Sequence, residues 1–447
     1  MILRFRVSNF RSIRDEVEIS LVAKSSSTGD AAQLSLEGLQ RAFPDAVRVA
    51  AIFGANASGK SNILRAVEFM QTAVTQSHAS WTPAQPIPRT PFCLDEQSQM
   101  RPTLMELDFL LDGIRHQYGF EVDDARVVRE WLYTYPTGRR RTLFERLLGD
   151  YSFGKTLAGE NRLIATITRP NSLFLSAAAT ANHETLLPVF LWFGRAVRVV
   201  NTRSPMNAAA PLTVELLRDD RSRELIHHLL SMADLGVLSA KVEKRPMEPD
   251  MLRRMQRILR AAVDPETENP DAVVEGQLAS LNSLQETVSL AHASADGSTY
   301  IPFHEESLGT QMWFSFIGYL VVAIRTGGVL IVDELNASMH PILVAEAIEL
   351  FQDLRLNRTG AQLIFTSHDT TPLGKLAGRL PLRRDAVWLV DKSPEGSSTL
   401  TPLTDFRPRT GENLQLGYLQ GRYGAVPRAA WFDLLLSDLT ALDLVNE

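Results

Sequence analysis

The segment GANASGKS at residues 54–61 is the sequence feature that most constrains this chain. It matches the pattern G-x-x-x-x-G-K-[ST], whose glycines let backbone N–H groups converge on phosphate oxygens. The apolar run VRVAAIF at 47–53 precedes it and predicts a buried strand, and apolar residues at helical spacing follow it. Because the motif requires a strand before it and a helix after it, we predict a phosphate-binding P-loop, or Walker A motif.

The chemistry of a P-loop assigns a role to each polar residue in it. Lys60 is expected to reach the β and γ phosphates of ATP, and the hydroxyl of Ser61 is expected to contact Mg²⁺. ATP and Mg²⁺ are therefore the predicted cofactors. The residues predicted to bind them here are Gly54, Ala55, Asn56, Ala57, Ser58, Gly59, Lys60, Ser61 and Asn62.

Two acidic residues follow a second apolar run, VLIVDE at 329–334. A P-loop needs a carboxylate from an adjacent strand to hold the metal, and we assign this role to Asp333. Glu334 is then expected to orient and deprotonate the attacking water. An Asp-Glu pair at the end of a strand is by itself usually a solvated turn, so this assignment depends on the P-loop.

A third apolar run, QLIF at 362–365, predicts another buried strand and is followed by the residues TSHD. Open α/β sheets bind ligands at the carboxyl ends of their strands. His368 is therefore predicted to contact the γ-phosphate and is counted with Lys60 and Glu334 as catalytic. A histidine without such neighbours would more often be structural.

Composition excludes several classes of protein. The 45% hydrophobic and 22% charged residues are typical of folded globular proteins, and the net charge of −6 argues against a wholly nucleic-acid-binding surface. The amino terminus places arginines among its apolar residues, unlike a signal peptide, and the apolar-rich run at 312–324 is too short to span a bilayer. With Cys93 as its one cysteine, the chain is expected in the cytoplasm, without a membrane.

The order of these motifs resembles that of ABC-type ATPases, in the branch that includes SMC, RecF and OLD proteins. In detail the chain looks like the compact AAA-type ATPases of bacterial abortive-infection and phage-defence operons. The resemblance rests on RFRVSNFRSIRDEVEISLVA near the start, ESLGTQ at 306–311, DELNASMHP at 333–341, TSHD and the late GYLQGRYGAVP. It covers residues 1–70 and 287–427, and the middle of the chain is matched only in general pattern.

The resemblance implies a composite ATP site. Ser307 and Gly309 of the signature segment, residues 306–311, would contact the γ-phosphate held by the P-loop of another subunit. Leu308 replaces a glycine of the usual signature. One P-loop and one signature cannot complete two such sites alone, so a homodimer or higher homo-oligomer is expected. The Q-loop glutamine stays open among Gln97, Gln99 and Gln117.

Residues 336–341 occupy the position of the D-loop, which crosses the dimer interface in ABC-type ATPases. His340 is assigned to that interface, with a helix start ahead of Pro341 as the alternative.

The predicted fold is α/β: an ABC-type ATPase core with a mixed sheet and helices, and an N-terminal antiparallel β-subdomain. A β-meander at 103–148 and a mainly helical region at 183–260 form an insert between Walker A and the signature. The predicted division is residues 1–80 for the N-terminal half of the core, 81–182 for the β-rich subdomain, 183–285 for the helical insert and 286–447 for the C-terminal half.

Four functions compete. The first is an ATPase switch of an anti-phage or abortive-infection system that controls a separately encoded effector, expected to be a nuclease. The second is a RecF- or SMC-like ATPase that clamps DNA, although the insert lacks the pattern of a long coiled coil. A built-in TOPRIM nuclease is disfavoured because no Asp-x-Asp occurs in the chain. A transporter ATPase is disfavoured because Ser307 follows Ser61 by 246 residues.

Two arginine clusters and one aromatic segment remain as candidate contact surfaces. Phosphate contact with nucleic acid is one interpretation of the clusters and a solvated surface is the more common one. GYLQGRY at 417–423 is either an effector-binding segment or a tight turn packed on the sheet. The clusters consist of Arg139, Arg140 and Arg141, and of Arg253, Arg254, Arg257 and Arg260.

Overall fold

The computed structural model describes residues 1–23, 33–34, 46–201, 210–233, 236–246, 249–262, 274, 284–294, 297–337, 339–376, 378–409 and 411–426. The chain forms two compact units, one of residues 1–204 and 322–447 and one of residues 205–321. Each unit is described by itself. The sequence-based division instead places its boundaries at residues 80, 182 and 285.

The strands are β1 (Ile2–Ser8), β2 (Val17–Ser20), β3 (Gln33–Leu34), β4 (Ala46–Val47), β5 (Val49–Gly54), β6 (Thr103–Leu111), β7 (Ile114–Val122), β8 (Val127–Tyr135), β9 (Arg141–Leu147), β10 (Asp150–Phe153), β11 (Val197–Asn201), β12 (Val237–Pro246), β13 (Leu284–Ser294), β14 (Gly297–Pro302), β15 (Val329–Asp333), β16 (Gln362–Ser367), β17 (Val387–Lys392) and β18 (Ser398–Pro402). The α-helices are α1 (Lys60–Gln76), α2 (Glu96–Met100), α3 (Asn161–Ile167), α4 (Phe174–Thr180), α5 (Leu187–Ala196), α6 (Ala210–Leu216), α7 (Asp220–Met232), α8 (Pro249–Ala262), α9 (Leu308–Thr326), α10 (Pro341–Gln352) and α11 (Leu414–Leu419). Short 3-10 turns lie at Phe303–Glu305, Thr371–Leu373, Arg384–Ala386 and Leu403–Phe406.

An antiparallel sheet of seven strands begins the larger unit, in the order β10-β9-β8-β7-β6-β1-β2. Strand β1 alternates apolar and polar side chains: Phe5 and Val7 are buried, whereas Arg4 and Arg6 are partly exposed. This period of two is typical of a strand with one buried and one solvated face. The predicted opening strands and the predicted β-meander are thus parts of one sheet.

The second sheet of this unit has six strands in the order β11-β15-β16-β5-β17-β18, parallel except for the pairing of β17 with β18. Every residue of β5, β15 and β16 is buried, as expected for central parallel strands. The prediction that the Asp333 strand adjoins the P-loop strand is wrong, because β16 lies between β5 and β15. Together the two sheets confirm a mixed α/β fold with an antiparallel N-terminal part.

One hydrophobic core joins the inner face of the seven-stranded sheet to α1, α4, α5 and the six-stranded sheet. A fully buried glutamate, Glu130, lies in this region. It accepts hydrogen bonds from the backbone N–H groups of Phe174 (2.7 Å) and Leu175 (3.0 Å), and it lies 3.8 Å from the buried Arg146. Burial raises the pKa of Glu130 against the lowering effect of Arg146. This carboxylate fixes the start of α4 on the sheet.

The smaller unit contains α6, α7, α8, the antiparallel sheet β12-β13-β14 and the first part of α9. The prediction of a mainly helical region at 183–260 is therefore wrong in two places, because β11 and β12 lie inside it. β11 follows α5 directly: Ala196 is the last residue of the helix and Val197 is the first residue of the strand, with no connecting loop to mark the change. β12 alternates apolar and polar residues in VLSAKVEKRP, a period-two pattern that the helical interpretation overlooked.

Helix α9 is longer than the apolar run recognised in the sequence. Its 19 residues are long and apolar enough to cross a membrane by length and composition alone. Within the structure 67% of its apolar window is buried, which is typical of a core helix.

Candidate nucleotide-binding site

The segment GANASGKS at 54–61 admits only glycine at two positions. Gly59 has φ +110°, and a Cβ there would lie 2.1 Å from Ser398 Oγ and 2.6 Å from Ser12 Oγ. A Cβ on Gly54 would lie 2.4 Å from the carbonyl oxygen of Val390. Backbone conformation and crowding therefore explain both glycines of the motif.

Lys60 is buried at the first position of α1. Its Nζ donates hydrogen bonds to the carbonyl oxygens of Gly54 (2.7 Å) and Ala55 (3.0 Å). The ammonium is thus held against the loop, at the N-terminal end of a helix whose dipole favours anions. This arrangement places a positive charge and helix N–H groups at the same end of the motif.

Ser61, Asp333 and Thr366 form a hydrogen-bonded cluster from three elements. Ser61 Oγ donates to Asp333 Oδ1 at 2.8 Å, and Thr366 Oγ1 donates to the same oxygen at 2.7 Å. Thr366 lies near the end of β16, the strand that separates β5 from β15. Because Thr366 is small, it leaves room for Asp333 of β15 to reach Ser61 across β16. Its hydroxyl also holds the Asp333 carboxylate in that position.

The donor set at this cluster fits Mg²⁺. Ser61 and Asp333 supply a hydroxyl and a carboxylate oxygen within hydrogen-bonding distance, and Mg²⁺ prefers such hard oxygen ligands. In the same loop the hydroxyl of Ser58 is buried and has no hydrogen-bond partner among the residues that the structure describes. A phosphate oxygen would satisfy that hydroxyl, as expected of a loop built for a phosphorylated ligand.

The backbone at Glu334 is in the left-handed region, with φ +56°. Its N–H donates to Thr366 Oγ1 at 2.7 Å, and the N–H of Leu335 donates to the Thr366 carbonyl at 3.1 Å. Non-glycine residues rarely adopt this conformation, and they cluster at functional sites when they do. Thr366 therefore orients both predicted acids, one through its carboxylate and the other through its backbone.

His368 is exposed beyond the end of β16. Its Nε2 lies 3.1 Å from Nδ2 of Asn336, in the segment predicted to be the D-loop. Ser338 of that segment lies outside the described residues. His340 caps the start of α10, with its Nδ1 accepting the N–H of Ile342 at 3.3 Å, which is the helix-start alternative raised by the sequence.

The signature residues lie in the smaller unit, at the start of α9. Ser307 Oγ accepts the N–H of Thr310 at 3.1 Å and so caps the helix. Leu308 is 63% exposed, and Gly309 is half-buried. The end of α9 that carries the signature therefore presents an apolar side chain to solvent.

The sequence missed several residues that contact the P-loop. Ser398 Oγ donates to the Ser58 carbonyl at 2.6 Å, and the Ser398 N–H donates to the carbonyl of Ser12 at 2.7 Å. Asn62 Nδ2 donates to Ser12 Oγ at 2.7 Å. Ser12 belongs to the opening segment that carried the family resemblance, whereas no sequence signal marks Ser398. Ser12 and Ser398, which are far apart in the sequence, thus both support the P-loop.

The structure distinguishes the two arginine clusters from the aromatic segment at 417–423. The two arginine clusters are exposed, and the Arg140 guanidinium lies 4.6 Å from the centre of the Tyr133 ring. In the segment 417–423 the side chains of Tyr418 and Tyr423 are buried, and Tyr418 OH donates to the carbonyl of Ala425 at 2.7 Å. These tyrosines pack within the fold, which is the tight-turn alternative.

A sequence-family model described as "AAA domain, putative AbiEii toxin, Type IV TA system" matches residues 49–371. Three solved structures are also similar. An SMC head bound to the C-winged helix domain of ScpA has TM-score 0.41 and 14% identity, covering 90% of this chain and 96% of that chain. The SMC head domain from Thermotoga maritima has TM-score 0.39 and 12% identity, covering 90% and 98%. An SMC head with an extended coiled coil, bound to the C-terminal domain of ScpA derived from Pyrococcus furiosus, has TM-score 0.38 and 12% identity, covering 90% and 95%. Among curated proteins, none matches the chain.

Proposed function

The chain belongs to the AbiEii-type AAA-domain family, and on that premise we propose that it is the ATP-binding and ATP-hydrolysing subunit of a cytoplasmic anti-phage switch. The observation that carries the ATPase proposal is the cluster of Ser61, Asp333 and Thr366 beside the P-loop lysine. It joins the phosphate-binding loop to the acidic strand end through hydrogen bonds. The family match supports nucleotide binding, and the hydrolytic cycle is our inference.

In this proposal the P-loop residues bind the ATP phosphates, with Lys60 opposite the β and γ phosphates. Ser61 and Asp333 would hold Mg²⁺, which when bound neutralises charge on the phosphates. Glu334 accepts a proton from water as the water oxygen bonds to the γ-phosphorus, and the bond to the bridging oxygen of ADP breaks. His368 contacts the γ-phosphate and orients it.

We extend the proposal to a homodimer in which Ser307 and Gly309 complete the site of the partner subunit. The exposed position of Ser307 at the start of α9 supports this, because a residue that contacts the ligand of another subunit must be accessible at the surface. ATP binding would close the dimer and hydrolysis would open it. An effector encoded nearby, which we propose is a nuclease, would respond to that cycle.

The ATPase proposal is tested with Lys60→Ala and Glu334→Gln. Lys60→Ala removes the charge facing the phosphates, so binding of a fluorescent ATP analogue should be lost. Glu334→Gln should bind the analogue normally and release phosphate at least about a hundredfold more slowly. Matched controls are Lys375→Ala and Glu346→Gln, which change exposed residues outside the site. Wild-type turnover by Glu334→Gln would contradict the assigned base.

The effector proposal is tested by purifying the chain alone and together with the product of its adjacent gene. Cleavage of RNA and DNA is then measured with and without ATP. We expect cleavage only when both proteins are present, with a rate that depends on ATP. If the chain alone degrades nucleic acid and Lys60→Ala removes that activity, the effector lies within this chain and the proposal fails.

A further inference from the structure

The residue immediately before the signature serine is a buried carboxylate. The side chain of Glu306 is 6% exposed, and its Oε1 lies 2.7 Å from Nε2 of His292. His292 is the donor that meets this carboxylate among the described residues. A buried carboxylate that loses its donor is costly and tends to move toward water. Because Ser307 is the next residue, such a movement would displace the start of α9.

His292 is placed by the sheet of the smaller unit. It lies on β13, the central strand, opposite Val237 of β12 and Thr299 of β14. Pairing on both sides restrains the backbone at His292, and a register shift between Val237 and Ser239 of β12 lies next to this position. The signature is thus attached to the insert by a side chain on its central strand.

Other contacts of the insert hold α9 farther along its length. Thr213 Oγ1 on α6 donates to the carbonyl of Phe314 at 2.9 Å, and Trp313 Nε1 donates to the carbonyl of Leu229 on α7 at 3.1 Å. These bonds fix the body of the helix. The bond between His292 and Glu306 lies at the end that carries Ser307, where a small displacement matters most for a phosphate contact.

We propose that His292 is a positioning residue for the signature: through Glu306 it sets the place of Ser307, and so links the insert sheet to ATP hydrolysis. The inference rests on the proposed role of Ser307 at the partner's ATP site. It predicts that a partner that binds the sheet β12-β13-β14 changes the rate of hydrolysis through this bond. ATP binding at the chain's own P-loop does not involve it.

The test is a double-mutant cycle of His292→Ala, Glu306→Ala and the double variant, on the full-length chain. We expect each single substitution to lower kcat about tenfold, the factor for one charge-assisted hydrogen bond, with the Kd for a fluorescent ATP analogue within about twofold. The double variant should be no slower than the slower single variant. His292→Gln, whose amide can donate in place of Nε2, should keep kcat within about threefold of wild type.

The control is His304→Ala, which changes a histidine that is 81% exposed in the same segment and should leave kcat unchanged. Thermal unfolding of each variant identifies loss of fold, and His292→Gln keeps the inference testable if His292→Ala unfolds. Two results would overturn this inference alone. One is that the effects of His292→Ala and Glu306→Ala on kcat are additive in the double variant. The other is that His292→Ala keeps the wild-type kcat while Lys60→Ala is inactive. Absence of hydrolysis by the wild-type chain would overturn the proposed function instead.

Discussion

The role of Thr366 leads to a prediction that depends on the structure, because the sequence placed Thr366 in the TSHD segment without assigning it a function. Thr366→Val keeps the shape of the side chain and removes the hydroxyl, which donates to Asp333 and accepts the Glu334 N–H, each at 2.7 Å. A hydrogen bond to a charged group contributes about 1.5–3 kcal/mol, and a buried N–H left unsatisfied costs about 1–3 kcal/mol. We therefore expect a loss of about 3 kcal/mol in unfolding free energy, or roughly 4 °C in Tm.

The same substitution should lower phosphate release at least about tenfold, because the backbone that carries Glu334 loses its support. Thr366→Ser is the matched control: it keeps the hydroxyl, loses one methyl group at a cost of about 1 kcal/mol, and should hydrolyse ATP within about twofold of wild type. Urea denaturation and a phosphate-release assay measure the two effects. Equal behaviour of the valine and serine variants would refute the role assigned to the hydroxyl.

Two further predictions concern the P-loop and the core. Gly59→Ala should abolish ATP binding, because a Cβ at φ +110° would lie 2.1 Å from Ser398 Oγ; unchanged affinity in a titration with a fluorescent ATP analogue would contradict this. Glu130→Ala should destabilise the chain by about 3–5 kcal/mol, because it leaves Arg146 buried without its carboxylate. A loss below about 1 kcal/mol in urea denaturation, similar to that of the control Glu121→Ala, would show that the buried pair does not hold α4 on the sheet.

The sequence was sufficient to predict the strands and loops that are marked by a short run of neighbouring residues. The P-loop, the strand that ends at Asp333 and the strand that leads to His368 each have their apolar run directly followed by their polar residues, at 47–61, 329–334 and 362–369. Strand β11 was missed because it begins at the residue that follows the last residue of α5, with no connecting loop. Without such a loop, a short apolar segment after a helix fits either structure.

The supporting residues of the site could not be predicted for a different reason. Ser12 and Ser398 are 386 positions apart, and their hydroxyls lie 2.7 Å from each other beside the P-loop. Thr366 acquires its role only because β16 lies between β5 and β15, an order that apolar runs do not encode. The role of a side chain such as Thr366 can be recognised only when the order of the strands in the sheet is known.

The central claim is that two copies of the chain share each ATP site. The most direct measurement mixes a Lys60→Ala chain, which cannot hold ATP, with a Ser307→Arg chain, whose signature is blocked, and records phosphate release. Each variant alone should be inactive, and the mixture should recover activity, because a heterodimer joins one intact P-loop to one intact signature. Hydrolysis at the wild-type rate by a strictly monomeric preparation, or an inactive mixture in which heterodimers are present, would contradict the claim.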